Sequence, residues 1–276
     1  MINPFRIFSD LKRLRGNAKL QPEVLTVPCQ ICNSPANYLD TVDFNKSCVE
    51  QDGVALPHLG VAIHYYLCDH CGFCFAPEFA SWPFEDFEKY IYNEDYEKVD
   101  PDYKFARPNN NATFLEEKFS ASKAKIKHLD YGGGSGLLSK TLQKKGWSST
   151  TYDPFVDREL NVEELGQFDL VTAFEVFEHV PDSSRLVDTL KKLCKPNGLI
   201  LFTTLYSDGN IARGKKLDWW YAAPRNGHIS LFSQSSLRAL MLQKELDCIS
   251  FSSVLHAAFR EVPEWATHLI RKAPQR

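Results

Sequence analysis

The sequence predicts an α/β fold on a doubly wound, mostly parallel sheet, preceded by a small cysteine-bearing module. Three observations predict it. Apolar runs alternate with helical patterns between residues 127 and 203, the pattern of strands covered on both faces by helices. A glycine-rich turn, Asp130-Tyr-Gly-Gly-Gly-Ser-Gly136, follows the first of these runs. Two C-x-x-C turns lie far upstream of it.

With 276 residues, 43% of them hydrophobic and 24% charged, the chain has room for a sizeable core and one accessory module. Its net charge of −3 gives no general basic footprint for nucleic-acid backbone, so a nucleic-acid partner is not expected. No apolar run reaches the length of a transmembrane span, and the N-terminus lacks the apolar core of a signal peptide. A cytoplasmic location is therefore expected.

Taken in order, residues 1–24 form an N-terminal helix or tail. Phe5, Ile7, Phe8, Leu11 and Leu14 are interleaved with Arg6, Lys12, Arg13 and Arg15. The pattern is short and Asp10 interrupts its basic face, which favours a helix packed on its own protein, or a frayed one, over a membrane-surface helix.

Residues 25–80 are expected to form a zinc ribbon. Cys29-Gln-Ile-Cys32 and Cys68-Asp-His-Cys71 are two knuckles, each followed by a residue tolerant of the left-handed conformation, Asn33 and Gly72. Four thiolates satisfy a tetrahedral Zn²⁺ fully, so such a site is structural rather than catalytic. His70 and Cys74 rank below these four as ligands. Val61-Ala-Ile-His-Tyr-Tyr-Leu67 reads as the strand returning beneath the metal. Disulfides are disfavoured, since nothing else indicates an oxidising compartment.

Residues 81–120, rich in tyrosine and acid, read as an aromatic linker and helical cap. Tyr92 and Tyr96 there present apolar faces with polar tips, suited to covering a small polar ligand.

Residues 121–276 form the main domain. The glycines at 132, 133, 134 and 136 let backbone approach a ligand, and a helix runs from Leu137 to Gly146. A dinucleotide fingerprint starting at Gly132 requires glycine where Leu137 stands. An acid, Asp130, also precedes the glycines; it would repel a pyrophosphate and attract a cation. Thr150-Thr-Tyr-Asp153-Pro154 is a second strand ending in an acid about twenty residues on, where a ribose lies in a doubly wound sheet. Phe168 to Phe174 is a buried strand leading to Glu175, and Leu199 to Thr203 is another. Their C-terminal ends gather Gly132, Asp153 and Glu175 at the ligand-binding edge.

The D-Y-G-G-G-S-G loop, the Y-D-P acid, F-D-L-V-T-A-F-E-V-F-E-H-V, K-P-N-G-L-I-L-F-T-T and G-H-I-S-L-F-S together resemble class I, Rossmann-like, S-adenosylmethionine-dependent methyltransferases, over about residues 120 to 260. The cysteine pairs and Y-N-E-D-Y resemble a bacterial subgroup of that family with an N-terminal zinc ribbon, some of whose members methylate sugars or other small metabolites. The resemblance implies a seven-stranded sheet, with Asp130, Gly132, Gly133, Gly134, Gly136, Asp153, Pro154, Phe174 and Glu175 around S-adenosyl-L-methionine. It departs from the family between Phe155 and Gln167, where no third strand and no acidic adenine ligand are evident.

The implied reaction is direct methyl transfer to a small-molecule acceptor. Positioning supplies most of the acceleration, and a base adds to it for a hydroxyl acceptor. His179, His228 and Glu178 are the candidate catalytic residues, since a neutral imidazole is available at physiological pH. Tyr221 and Arg225, in the aromatic insert Trp219-Trp-Tyr-Ala-Ala-Pro-Arg-Asn-Gly-His228, are candidate acceptor contacts, Arg225 as a bidentate grip on an acid. Two alternatives stand beside this reading. Glu175, Glu178, His179 and His228 resemble the divalent-metal site of small-RNA 2′-O-methyltransferases and of a ubiquinone-pathway O-methyltransferase, and two carboxylates with two imidazoles suit Mg²⁺, Mn²⁺ or Zn²⁺. The other alternative is a non-catalytic protein whose zinc ribbon engages a macromolecule.

Overall fold

The structure is a computed structural model and describes residues 22–270. The expected helix or tail over residues 1–24 lies almost wholly outside the described residues. In chain order the strands and helices are β1 (Thr26–Pro28), β2 (Pro35–Asp43), β3 (Ala62–Cys68), β4 (Cys74–Phe75), α1 (Phe84–Tyr90), α2 (Ala106–Phe119) and β5 (Lys127–Tyr131). They continue with α3 (Leu137–Lys144), β6 (Ser148–Tyr152), β7 (Phe168–Phe174), α4 (Ser183–Leu193), β8 (Cys194–Thr203), β9 (Ser230–Leu231), α5 (Gln234–Gln243), β10 (Asp247–Ser250) and β11 (Leu255–Phe259).

These elements divide between two compact units. Among the described residues, 22–100, 178–182 and 205–239 form the first, and 101–177, 183–204 and 240–270 the second.

The second unit carries a six-stranded sheet in the order β10-β11-β8-β7-β5-β6. β5, β6, β7 and β8 are parallel, and β11 and β10 close the sheet antiparallel. Leu170, Val171, Leu199, Ile200 and Leu201 are buried on these strands, as a sheet covered on both faces requires. Leu138 and Leu142 on α3 and Leu115 and Phe119 on α2 join Trp147, Leu170, Leu199 and Leu201 in one core cluster. The sheet has six strands where the resemblance implied seven. Residues 154–167 form turns and a short 3₁₀ helix at Val162–Leu165, because Asp157, Arg158, Glu159, Glu163 and Glu164 leave no apolar alternation to bury.

The first unit carries a five-stranded antiparallel sheet, β1-β2-β3-β4-β9. Its fifth strand comes from the far end of the chain. Tyr65, Phe73, Phe75, Phe79 and Phe232 are buried in this unit and build an aromatic core. Among the described residues no helix is long and apolar enough to cross a membrane.

Candidate functional site

In the second unit, parallel pairing sets Asp130 on β5 level with Thr151 on β6 and with Thr172 on β7. The Asp130 side chain is buried and accepts a hydrogen bond of 2.8 Å from Thr172 Oγ1. Burial pushes its carboxyl up to about 7; the Thr172 hydrogen bond opposes that and the nearby Asp153 adds to it. Gly132, Gly134 and Gly136 all have left-handed φ values, of 74°, 53° and 75°. Gly133 is required for a different reason: a Cβ there would lie 2.3 Å from Asp130 Oδ2. The loop thus closes directly over a buried acid.

Asp153 braces the same loop, since its Oδ2 accepts from the Gly134 N–H at 2.9 Å and its Oδ1 from the Phe155 N–H at 2.8 Å. A carboxylate oxygen has two lone pairs, so each retains capacity for a further donor. Pro154 follows in a half-buried turn, and Phe174 at the end of β7 packs against the core cluster. Glu175 holds a left-handed φ of 53°, uncommon for a non-glycine residue. Its N–H donates to Thr203 Oγ1 and its Oε1 accepts from the same hydroxyl, both at 2.8 Å.

The chain passes from Phe177 into the first unit at Glu178, whose side chain is completely buried. Glu178 Oε1 accepts from the Tyr221 hydroxyl at 2.7 Å and lies 3.9 Å from His179 Nε2. The His179 and His228 rings meet edge to face with centroids 4.8 Å apart, and Tyr92 approaches His179 at 6.1 Å. One ligand atom each from Glu178, His179 and His228 falls within 4.8 Å of the others. Glu175, the fourth member of the E-x-x-E-H alternative, is engaged with Thr203 and is not part of this group.

The tautomer of His228 follows from its surroundings. Nδ1 lies 2.9 Å from the carbonyl oxygen of Tyr221, which only accepts. In the neutral ring the proton therefore sits on Nδ1, and Nε2 carries the lone pair. Gly227, which carries no local signal in the sequence, is needed beside it: its φ is 86°, and a Cβ would come within 3.1 Å of His179 Nδ1 and 3.2 Å of the Tyr92 hydroxyl.

Two expected acceptor contacts are engaged within their own unit. Arg225 is buried, and its guanidinium donates to the Ile91 carbonyl at 2.8 Å and to Asn93 Oδ1 at 3.0 Å, so it staples its own unit. Tyr96 is also buried, with its hydroxyl 3.4 Å from the Asn226 carbonyl, and it supports Tyr92 edge to face. Tyr221 turns its hydroxyl to Glu178 and its carbonyl to His228, so it organises the cluster from behind.

The cysteines form a separate group in the same unit. Cys29 and Cys32 lie in the turn after β1, while Cys68 ends β3 and Cys71 lies in the turn after it. Asn33 and Gly72 are left-handed, with φ values of 59° and 76°. Their N–H groups donate back to the carbonyls of Cys29 and Cys68 at 2.9 and 2.8 Å, so the two knuckles are alike. All four sulfurs lie within 4.8 Å of one another, with Cys29 and Cys71 3.6 Å apart and Cys32 and Cys68 3.5 Å apart. Four thiolates at about 2.3 Å from a tetrahedral Zn²⁺ are separated by about 3.8 Å, so the set fits that ion. The separations are far longer than the disulfide bond length of about 2.05 Å, and all four cysteines are free.

The profile of a family described as methyltransferase domain matches residues 103–269. The ubiquinone biosynthesis O-methyltransferase of Colwellia psychrerythraea is 33% identical over 100 residues, covering 28% of this chain and 41% of that protein. The enzyme of the same name from Methylococcus capsulatus is 33% identical over 107 residues, covering 30% and 45%. The chain thus spans less than half the length of these curated relatives. Among solved structures, the Burkholderia thailandensis 1,6-didemethyltoxoflavin-N1-methyltransferase with bound 1,6-didemethyltoxoflavin and S-adenosylhomocysteine aligns at 16% identity and a TM-score of 0.45, over 71% of this chain and 93% of that one. The profile match takes in more than half of the sequence, and the chain belongs to this methyltransferase domain family.

Proposed function

We propose that the protein transfers the methyl group of S-adenosyl-L-methionine to a hydroxyl of a small polar acceptor, a sugar or a comparable metabolite. The observation that carries this reading is the loop of left-handed glycines closed over Asp130 and tied to Asp153, in a chain of the methyltransferase domain family. Asp130 would face the cationic methionine end of the cofactor, and Asp153 would accept from the ribose hydroxyls. The relatives named as O-methyltransferases favour oxygen as the atom methylated. His228 Nε2, its lone pair fixed by the Nδ1 contact, and His179 beside it would take the acceptor's proton, an effect of about 10²- to 10⁴-fold.

Calorimetry with S-adenosyl-L-methionine tests the cofactor assignment. Saturable binding that Asp130→Ala abolishes is the expected result, and unchanged binding in that variant rules the assignment out.

The four cysteines would hold one structural Zn²⁺, with no open position for chemistry. Elemental analysis of protein purified without chelator should find one zinc per chain, lost in Cys29→Ser.

A second reading is favoured by the convergence of Glu178, His179 and His228. These residues would hold a divalent cation, which as a Lewis acid would acidify an acceptor hydroxyl. Restoration of activity by Mg²⁺ or Mn²⁺ after mild chelation that leaves the cysteine-bound zinc in place would select this reading over an imidazole base acting without a metal.

A further inference from the structure

The cysteine knuckles and the Glu178–His179–His228 cluster belong to the same compact unit, and short polar contacts lead from one to the other. β3, which ends at Cys68, carries Tyr65, whose hydroxyl donates to the His228 carbonyl at 2.7 Å in a fully buried setting. Beyond the second knuckle, Cys74 pairs with Leu231 and Phe75 with Ser230, so β4 and β9 are neighbours in one sheet. The Ala76 N–H donates to the Ile229 carbonyl at 3.0 Å, while the Ile229 N–H donates to the Glu178 carbonyl at 2.9 Å. Ser230 Oγ donates to the Val180 carbonyl at 2.7 Å. On the knuckle itself, Ser233 Oγ donates to the Cys71 carbonyl at 2.6 Å, and a Cβ at Gly72 would lie 2.7 Å from that hydroxyl.

We propose that the Cys29–Cys32–Cys68–Cys71 knuckle pair and β9 act as a brace that fixes His228 and Glu178, with Tyr65 as the positioning residue that transmits the hold. The segment 228–233 is clasped between the knuckle strand on one side and the Glu178–Val180 turn on the other. A sheet strand only two residues long has little pairing of its own, so its register depends on what anchors β4. That anchor is the second knuckle, whose ends the four-sulfur site ties to β1 and β2. Loss of the metal would free β4 and, through β9 and Tyr65, would let His228 and Glu178 drift. The metal-bound module would then be a structural member of the acceptor side and not a free-standing interaction module. The inference rests on the reading that His228 or His179 acts on the acceptor.

Tyr65→Phe, which removes one hydroxyl and keeps the ring, tests it in the zinc-loaded chain. Zinc content and S-adenosyl-L-methionine affinity should stay at wild-type values. Amide hydrogen exchange at Ile229 and Leu231 should quicken by roughly tenfold, as expected for one buried hydrogen bond lost, and the imidazole ¹⁵N signals of His228 should shift. Methyl-transfer turnover should fall with them. Wild-type chain stripped of zinc should show the same quickening at Ile229. Exchange and histidine signals that remain at wild-type values in both Tyr65→Phe and Ser233→Ala would overturn the proposal. An absence of methyl transfer in the wild-type chain would count against the function proposed above, while the exchange and histidine measurements would still decide the brace.

Discussion

At the scale of single residues, the buried acid under the glycine loop has a consequence for pH. Asp130 is raised to about 7 from an ordinary 3.8 by burial, so the free chain holds a proton there at mildly acidic pH. Because the folded value lies above the unfolded one, its contribution to stability is present below 3.8 and is lost as pH rises through about 7. On the proposed reading, in which Asp130 faces the cationic end of S-adenosyl-L-methionine, binding requires the ionised form and should release that proton. Affinity is expected to fall by about tenfold per pH unit below 7, and Asp130→Asn should remove the slope along with most of the affinity; calorimetry across buffers of different ionisation enthalpy checks both. His128 acts in the opposite sense. It is completely buried between Ser149 Oγ and Thr172 Oγ1, and burial pushes its imidazole down to about 3. Its contribution is present above the unfolded value near 6.5 and is lost as pH falls toward 3.

At the scale of elements, the glycine loop separates two kinds of glycine that read identically in the sequence. Gly134 has a left-handed φ of 53° but open space around its missing Cβ, whereas Gly133 is pressed against Asp130 and the Thr151 methyl. Gly134→Ala should therefore cost the free chain only the backbone strain, about 1 kcal/mol. Gly133→Ala must push the Asp130 carboxylate aside and should abolish measurable binding. Thermal melts with calorimetry on the two variants distinguish strain from steric exclusion, and equal losses in both would contradict this account.

The loop was legible in the sequence because its glycines follow an apolar run and an acid, a local pattern that needs no partner. The paired knuckles were legible for the same reason, in the C-x-x-C spacing and in Asn33 and Gly72. Tyr65, Thr172 and Gly227 were not, because their roles depend on groups 163, 42 and 48 positions away or nearby only after folding: the His228 carbonyl, Asp130 and His179. The Arg225 contacts were hidden for a related reason, since the Ile91 carbonyl and Asn93 lie 134 and 132 positions away.

At the scale of the whole molecule, the sequence suggests a chain that can be cut, with a ribbon over 25–80 and a methyltransferase domain over 121–276. The compact units divide it differently, since residues 178–182 and 205–239 belong with the first hundred. Trp219, Tyr221, Ala222, Ala223, Ile229, Leu231 and Phe232 are all buried in that first unit. Lys46 caps the Trp219 and Ala222 carbonyls at 2.6 and 3.0 Å, and the Cys48 N–H donates to Asn226 Oδ1 at 2.8 Å. A fragment beginning at residue 101 would keep the glycine loop but lose β1–β4, leaving β9 without its partner and several large apolar side chains uncovered. Each such side chain costs about 1.5–3 kcal/mol when exposed, so the sum exceeds the margin by which a domain of this size is usually stable. The fragment 101–276 is expected to aggregate, or to bind S-adenosyl-L-methionine far more weakly than the full chain, and size-exclusion chromatography with calorimetry measures both. A monomeric fragment with full affinity would show instead that the first hundred residues are an appendage, as their continuous span in the sequence suggests.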